Sequence, residues 1–308
     1  VRVIVIGLGV QGRKRQRIAG ADVVATVDVA LPADHRSVEQ VPLDSYDAAL
    51  LCVPDAAKPA ILSYLLEHGK HVLVEKPLLM VSDAELLRLE SVARRQRAVC
   101  YTAYNHRFEP HFVRMRECIQ SGRLGRLYLV RLFYGNGTAR DVRESPWRDQ
   151  AGGVLPDLGS HLIDTVRFWL GELCGDLHLS HADRFENAAY DHVAFSIDGM
   201  PRVLLEATLV CWRNHFTADV FGELGSAHIE SLCKWGPSSF TVRDRVLPSG
   251  RPPEERITLV RPDPTWELEY AHFRALCAEG KDTSLADDLA VQQALEQLEA
   301  QARERDQA

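Results

Sequence analysis

Two stretches of the chain put ionisable side chains where a packed core has no use for them. The stretch "HVLVEKPLL" (71–79) begins as an apolar run with the character of a buried strand. It ends in a carboxylate, Glu75, and an ammonium, Lys76, followed at once by Pro77. Charges at the end of a buried strand are costly unless they are paired or used. In "GGVLPDLGSHLIDTVRFWLGE" (152–172), Asp157, His161 and Asp164 fall at i, i+4 and i+7. On a helix they share one face, opposite a core face of Leu155, Leu158, Leu162, Val166 and Trp169. Carboxylates flanking an imidazole can fix its tautomer and raise its pKa. Such a ring can take the proton of a hydroxyl at neutral pH, and an ammonium can stabilise the alkoxide that develops. Each feature has a plainer alternative. Lys76 could pair with Glu75, and the helix could carry a capping carboxylate with a histidine and an aspartate facing solvent.

The elements that must position these groups are legible. Apolar runs at 1–7, 21–28, 47–54, 71–77 and 98–104 read as strands, with helix patterns at 57–69 and 81–96 between them. In the second helix Ser82 is a plausible N-cap, with Glu85 completing a capping box. This alternation predicts a parallel sheet covered on both faces. Directly after the first strand, "VIGLGVQGRKR" supplies Gly7, Gly9 and Gly12 as G-x-G-x-x-G, with Val10 and Gln11 inside the loop. The first glycine permits a tight turn, the second lets a pyrophosphate approach the backbone, and the third lets helix and strand pack closely. Asp28 ends the next strand, where a carboxylate can accept from a ribose 2′-hydroxyl. That favours NAD, with NADP as the alternative, because a carboxylate repels a 2′-phosphate. Arg13, Lys14 and Arg15 read as a solvated face of the following helix. Only a turn, a short strand and a loop fit between Asp28 and Asp47, so the adenine side should be trimmed.

The second half changes character. A helix pattern at 109–121 leads into a long strand at 125–135. After the 155–171 helix come strand segments at 191–197, 202–212, 216–222, 226–232, 239–246 and 256–260, a loop at 248–255, and helices at about 265–279 and 285–305. The fold class expected is α/β: an N-terminal Rossmann dinucleotide-binding domain over 1–122, then an α+β domain over 123–308 with a large, mostly antiparallel open sheet. The closing helix is expected to reach back to the first domain.

Composition narrows the function. The 308 residues carry a net charge of −7 with 46% hydrophobic and 26% charged residues, which argues against a nucleic-acid partner. Seven cysteines, at 52, 100, 118, 174, 211, 233 and 277, form no C-x-x-C pair. A reducing, cytoplasmic setting without disulfides or structural zinc is expected. No apolar run is long enough for a membrane span, and the first strand starts too early to leave room for a leader. His106, Glu109 and His111 do not recur on one helical face, so no metal site is expected from them.

The nucleotide loop, "GKHVLVEKPL" (69–78), "YNHRFEPHF" (104–112) and "GGVLPDLGSHLID" (152–164) occur in this order. Together they resemble the glucose–fructose oxidoreductase, inositol dehydrogenase and rhizopine-catabolism (Gfo/Idh/MocA) family over nearly the whole chain. The resemblance implies hydride transfer between a nicotinamide cofactor and a ring carbon of a sugar, sugar nucleotide or cyclitol, and a homo-oligomer assembled through the C-terminal sheet. Lys76 matches the lysine of the family's E-K-P motif, and Asp157 and His161 match its D-x-x-x-H motif. By this reading His161 is the general base, Lys76 stabilises the alkoxide and Asp157 positions. Val53, Pro54, Glu75 and Lys76 join the glycine loop and Asp28 as cofactor contacts. Asn105, Arg107, Trp147 and Arg148 are candidate substrate contacts beside Lys76, Asp157 and His161. Pro77 makes a cis Lys76–Pro77 bond an option, one the family commonly shows. Two departures stand out: the short 29–46 segment, and Lys58, which stands where the family often has histidine. They leave room for a second class, a non-catalytic dinucleotide sensor on the same fold. An imine or enone reductase is a third.

Overall fold

The computed structural model describes residues 1–149, 152–172, 175–280 and 283–307, excepting the side chains of 146 and 147. The described chain forms two compact units. One comprises Val1–Asn105 with Pro264–Gln292, the other His106–Asp263 with Gln293 onward.

The first unit is built on β1 (Val3–Ile6), α1 (Val10–Ala19), β2 (Val23–Val27), β3 (Ala48–Leu51), α2 (Lys58–Glu67), β4 (His71–Glu75), α3 (Asp83–Gln96) and β5 (Cys100–Ala103). The strands run in the order β2-β1-β3-β4-β5 and pair in parallel throughout. Every residue of β1 and β3 is buried, as expected for a sheet covered on both faces. Ser82 caps α3 by accepting from the Glu85 N–H. Between β2 and β3 the chain makes one isolated parallel bridge, Val27 to His35, and two three-residue 3-10 turns, Val38–Gln40 and Leu43–Ser45. The trimmed segment expected from the sequence is therefore what the fold contains.

The second unit begins with α4 (Pro110–Gln120) and β6 (Leu127–Gly135). The short helices α5 (Ala139–Arg143) and α6 (Pro146–Asp149) lead to a π-helical turn at Leu155–Gly159 and to α7 (Ser160–Leu170). Then follow β7 (Asp176–Asp183), β8 (His192–Asp198), β9 (Arg202–Thr208), β10 (His215–Gly222), β11 (Gly225–Glu230), β12 (Ser238–Asp244) and β13 (Glu254–Leu259). The sheet order is β13-β12-β11-β10-β6-β9-β8-β7, antiparallel except for the parallel pair β6–β9. Alternation along β6 buries Val130, Leu132 and Tyr134 on one face, where α4 and α7 lie. Phe112 of α4 is fully buried, a contribution of roughly 2–3 kcal/mol for one such side chain. Its carbonyl accepts from Trp169 Nε1 at 3.0 Å. The edge strand β7 carries a weak sequence signal, because "DLHLSHAD" offers only leucines in alternation with polar residues.

Two helices follow, α8 (Thr265–Glu279) and α9 (Ala286–Asp306). Tyr270 and Phe273 of α8 pack into the first unit's core with Val3, Val5 and Leu50. The division differs from a break after residue 122 for a physical reason. The α4 helix buries its apolar side against the second sheet, and α8 buries its own against the first. No helix among the described residues is long and apolar enough to cross a membrane.

Candidate active site

In the first unit the three glycines are demanded by different things. A Cβ on Gly7, whose φ is +87°, would stand 2.4 Å from the Cys52 carbonyl oxygen, and one on Gly12 would stand 1.7 Å from that of Gly7. A Cβ on Gly9 would meet nothing within 4 Å. The fold itself thus requires Gly7 and Gly12, while Gly9 faces a space that a ligand can enter. Gly9 is the N-cap of α1, where no side chain caps the helix and no acidic residue occupies the first turn. Val10 and Gln11 are exposed beside it. Open N–H groups at the positive end of a helix, next to a glycine without steric need, fit a pyrophosphate.

Asp28 is pinned. Its carboxylate accepts from the N–H groups of Leu8 at 2.6 Å, Ala30 at 2.8 Å and Leu31 at 2.7 Å. Burial alone would raise its pKa, but these donors hold it below the usual carboxylate range. A carboxylate kept ionised at the end of β2 suits a ribose diol. Val53 packs partly against the core, and exposed Pro54 leads into the turn Asp55–Ala57.

At the end of β4, Lys76 is half-buried and its bond to Pro77 is cis. Glu75 does not face solvent as a simple cofactor contact. Its Oε1 accepts from Arg15 Nε at 2.8 Å, and Arg15 Nη1 meets Glu269 Oε2 at 2.6 Å. Arg15 is only 1% exposed and lies 4.2 Å from the Trp266 ring, with Lys14 above the same ring at 3.6 Å. This corrects the reading of Arg13, Lys14 and Arg15 as one solvated face: Arg13 alone is exposed. The buried face of α1 is Gly12, Arg15 and Ala19, a spacing that could have revealed Arg15. Burial would lower the pKa of this guanidinium, yet Glu75 and Glu269 hold it above its ordinary value. Asn105, expected as a substrate contact, is buried and donates from Nδ2 to Thr265 Oγ1 at 2.8 Å.

In the second unit the two-faced helix is not one continuous α-helix. The π turn at Leu155–Gly159 widens the spacing between Asp157 and α7. Asp157 is about a third exposed and its Oδ2 lies 3.4 Å from Arg148 Nη2. His161 and Asp164 are buried, at 7% and 1% exposure, which removes the reading of a solvent-facing pair. Asp164 grips Arg107 through both oxygens, with Nε at 3.0 Å and Nη2 at 2.5 Å from Oδ1. Arg107, expected on substrate, therefore has a structural partner inside its own unit. The Trp147 side chain lies outside the described residues.

The His161 ring stacks on His106, with centroids 4.1 Å apart and planes at 24°. Tyr134 meets His161 edge-on at 6.1 Å. Lys234 Nζ lies 3.4 Å from His106 Nε2 and 3.2 Å from the Tyr134 hydroxyl. An ammonium only donates, so His106 accepts at Nε2 and carries its proton on Nδ1. His106, Glu109 and His111 go to separate partners. Glu109 accepts from the Cys233 thiol at 2.9 Å, and burial raises its pKa. His111 lies against Phe240. Among the described residues no cluster of His, Cys, Asp and Glu could hold a metal ion.

Two family models match this chain. One, described as an oxidoreductase family with an NAD-binding Rossmann fold, covers residues 11–104. The other, the GFO/IDH/MocA C-terminal domain, covers 112–228, and together they take in more than half of the chain. The chain belongs to the GFO/IDH/MocA oxidoreductase family. The inositol 2-dehydrogenase of Rhizobium meliloti (strain 1021) is 32% identical over 129 residues, 41% of this chain and 37% of that protein. Inositol 2-dehydrogenase 4 of Saccharopolyspora erythraea is 28% identical over 206 residues, 61% of this chain and 59% of that protein. The chain spans between 37% and 59% of the length of the first three curated relatives it matches. A solved structure of levoglucosan dehydrogenase with NADH and levoglucosan superposes with a TM-score of 0.83 at 19% identity, covering 98% of this chain and 97% of that one. At that identity the likeness concerns the fold.

Within this GFO/IDH/MocA member, four side chains around the motif residues are not legible in the sequence. Arg15 and Glu269 brace Glu75, and His106 with Lys234 backs His161. Glu269, His106 and Lys234 lie far in sequence from the residues they touch, and only their contacts in the folded chain give them away.

Proposed function

We propose that this chain is an NAD-dependent dehydrogenase or reductase acting on a ring CH–OH of a sugar, sugar nucleotide or cyclitol. The observation that carries the reading is the cradle of the first unit. It combines the sterically unneeded Gly9 at an uncapped helix start with Asp28 pinned in its ionised form by three backbone N–H groups. NAD, when bound there, supplies the hydride acceptor, or as NADH the donor. Val10, Gln11 and Gly12 would hold its pyrophosphate, Asp28 its ribose, and Val53, Pro54 and Glu75 would flank the nicotinamide end.

The chemistry left to the protein is handling of the hydroxyl proton. His161 receives that proton on an imidazole nitrogen as the C–H bond breaks, and returns it in the reductive direction. Its stack on His106 holds the ring at a fixed angle. Lys76 stabilises the alkoxide oxygen by charge and hydrogen bonding. Asp157, partly exposed near Arg148, positions a substrate hydroxyl. Arg148 and Trp147 remain candidates for the same role. Arg107 and Asn105 serve by holding Asp164 and Thr265 rather than as direct contacts.

The relatives' names support the substrate class: inositol dehydrogenases in sequence, and a levoglucosan dehydrogenase and a UDP-N-acetylglucosamine 3-dehydrogenase in structure. A braced Lys76 and a buried His161 favour the enzyme over a non-catalytic sensor. A second copy of the chain is the proposed partner, seated on the open face of the eight-stranded sheet, where Leu204 is exposed. The six described cysteines are free thiols, which suits the proposed cytoplasmic setting. The test is a panel of cyclitols, anhydrosugars, aldoses and nucleotide sugars offered with NAD+ and NADP+. NADH formation with at least one ring alcohol supports the reading. Tight NADH binding with no turnover on any of them would favour the sensor.

A further inference from the structure

Lys58 opens α2 at the position where the family resemblance calls for histidine, and nothing in the proposed reaction uses it. It is 1% exposed. Its Nζ donates to the Glu75 carbonyl at 2.6 Å and the Pro77 carbonyl at 2.7 Å, and it meets Asp55 Oδ1 at 2.6 Å. An ammonium has three N–H donors, and these are three acceptors at bonding distance. The two carbonyls belong to the residues on either side of Lys76. A single buried side chain therefore ties down both backbone flanks of the residue assigned to the alkoxide. A histidine ring directs one bond per nitrogen, in opposite directions, and cannot bracket two neighbouring carbonyls in this way. Burying an ammonium is costly, and a helix start has no need of one. Glu75 is fixed independently through its side chain by Arg15, so Lys58 acts on the backbone carbonyls and not on that side chain.

We propose that Lys58 is a positioning residue that fixes the backbone on both sides of Lys76 and so aims its ammonium. The inference rests on the assignment of Lys76 given above. Two kinds of experiment separate them. Without substrate, hydrogen–deuterium exchange of the segment 72–80 is compared in the wild type and Lys58→Met. Exchange at Lys76 and Leu78 should rise about tenfold or more while amides of β1 and β3 keep their protection. NADH affinity, titrated by fluorescence, should stay within about threefold, since the glycine cradle and Asp28 are untouched. With the best substrate of the panel, kcat should fall by about 100-fold at nearly constant KM, the effect of a small misplacement of a reacting group. Lys58→Gln keeps two N–H donors and should recover part of both losses. It carries the test if Lys58→Met does not fold. Unchanged exchange in 72–80 overturns the proposal, as does a rise spread evenly over the whole sheet, which would mark a purely structural lysine. Raised local exchange with unchanged kcat overturns the catalytic half of it. If instead Lys76→Met turns over normally, the assignment of Lys76 falls, and the exchange result still decides what Lys58 holds.

Discussion

The end of β4 in the first unit and the start of α7 in the second each carry one group of the proposed chemistry, and they brace it by different physics. Around Lys76 the support is ionic and backbone-directed. Arg15 lies between Glu75 and Glu269, and Lys58 spans two carbonyls. Around His161 the support is aromatic. His106 stacks on it, and Tyr134 and Phe112 close on His106 at 5.4 and 5.6 Å. The difference suits what each group would do in the proposed reaction. An ammonium that stabilises negative charge works from a fixed place, and buried charges fix a backbone rigidly. An imidazole that gains and loses a proton can be held through its ring faces, which restrain its angle.

The largest effect should come from removing the proton acceptor. His161→Asn is expected to lower kcat by about 10²–10⁴-fold, with the folded state intact by circular dichroism. Wild-type turnover in that variant would remove the second unit from the proposed chemistry.

Next comes a pair of variants that sets one kind of bracing against the other. Arg15→Met leaves Glu269, fully buried, and Glu75 without their shared cation. Its expected cost is about 3–5 kcal/mol in a urea melt, the range for a broken buried ion pair. His106→Leu keeps the apolar volume and loses the ring stack, with an expected cost of about 1 kcal/mol. Similar costs for the two would erase the contrast between ionic and aromatic bracing.

The smallest effect concerns pH, because each unit also holds a histidine kept neutral. His71, which accepts from the Val99 N–H, has its pKa lowered chiefly by burial, as does fully buried His111. With folded-state pKa values below the unfolded value of about 6.5, both contribute stability that is complete above that pH. It is lost as pH falls below it, because the unfolded chain takes up protons first. Urea midpoints should therefore drop between about pH 7 and about pH 5, and His111→Phe should flatten the second unit's share. A midpoint that rises on acidification would contradict this.

Much of this molecule could be read from local pattern. The five parallel strands, the glycine turn, the Ser82 cap and the apolar stripe of Leu155, Leu158, Leu162, Val166 and Trp169 all follow from periodicity, and all are buried or placed as expected. Where the reading failed, the deciding partner lay far along the chain. Arg15 looked like part of a solvated charge run because Glu269 and Trp266 are invisible to any local window. Asp164 looked like an orienter of His161, yet its grip on Arg107 could not be read from helical spacing. The π turn shifted Asp157 away from the ideal stripe, which a uniform period of 3.6 residues cannot anticipate. The edge strand β7 escaped because its polar, histidine-containing alternation lacks β-branched residues.

Lys76 is the residue on which the proposed hydride transfer depends most directly. Single-turnover hydride transfer should be measured in Lys76→Met, with the best ring alcohol of the panel and with NADH binding followed in the same preparation. The expectation is NADH affinity within about threefold of wild type and transfer slowed by about 100-fold or more. Transfer at close to the wild-type rate, with NADH still bound, would contradict it.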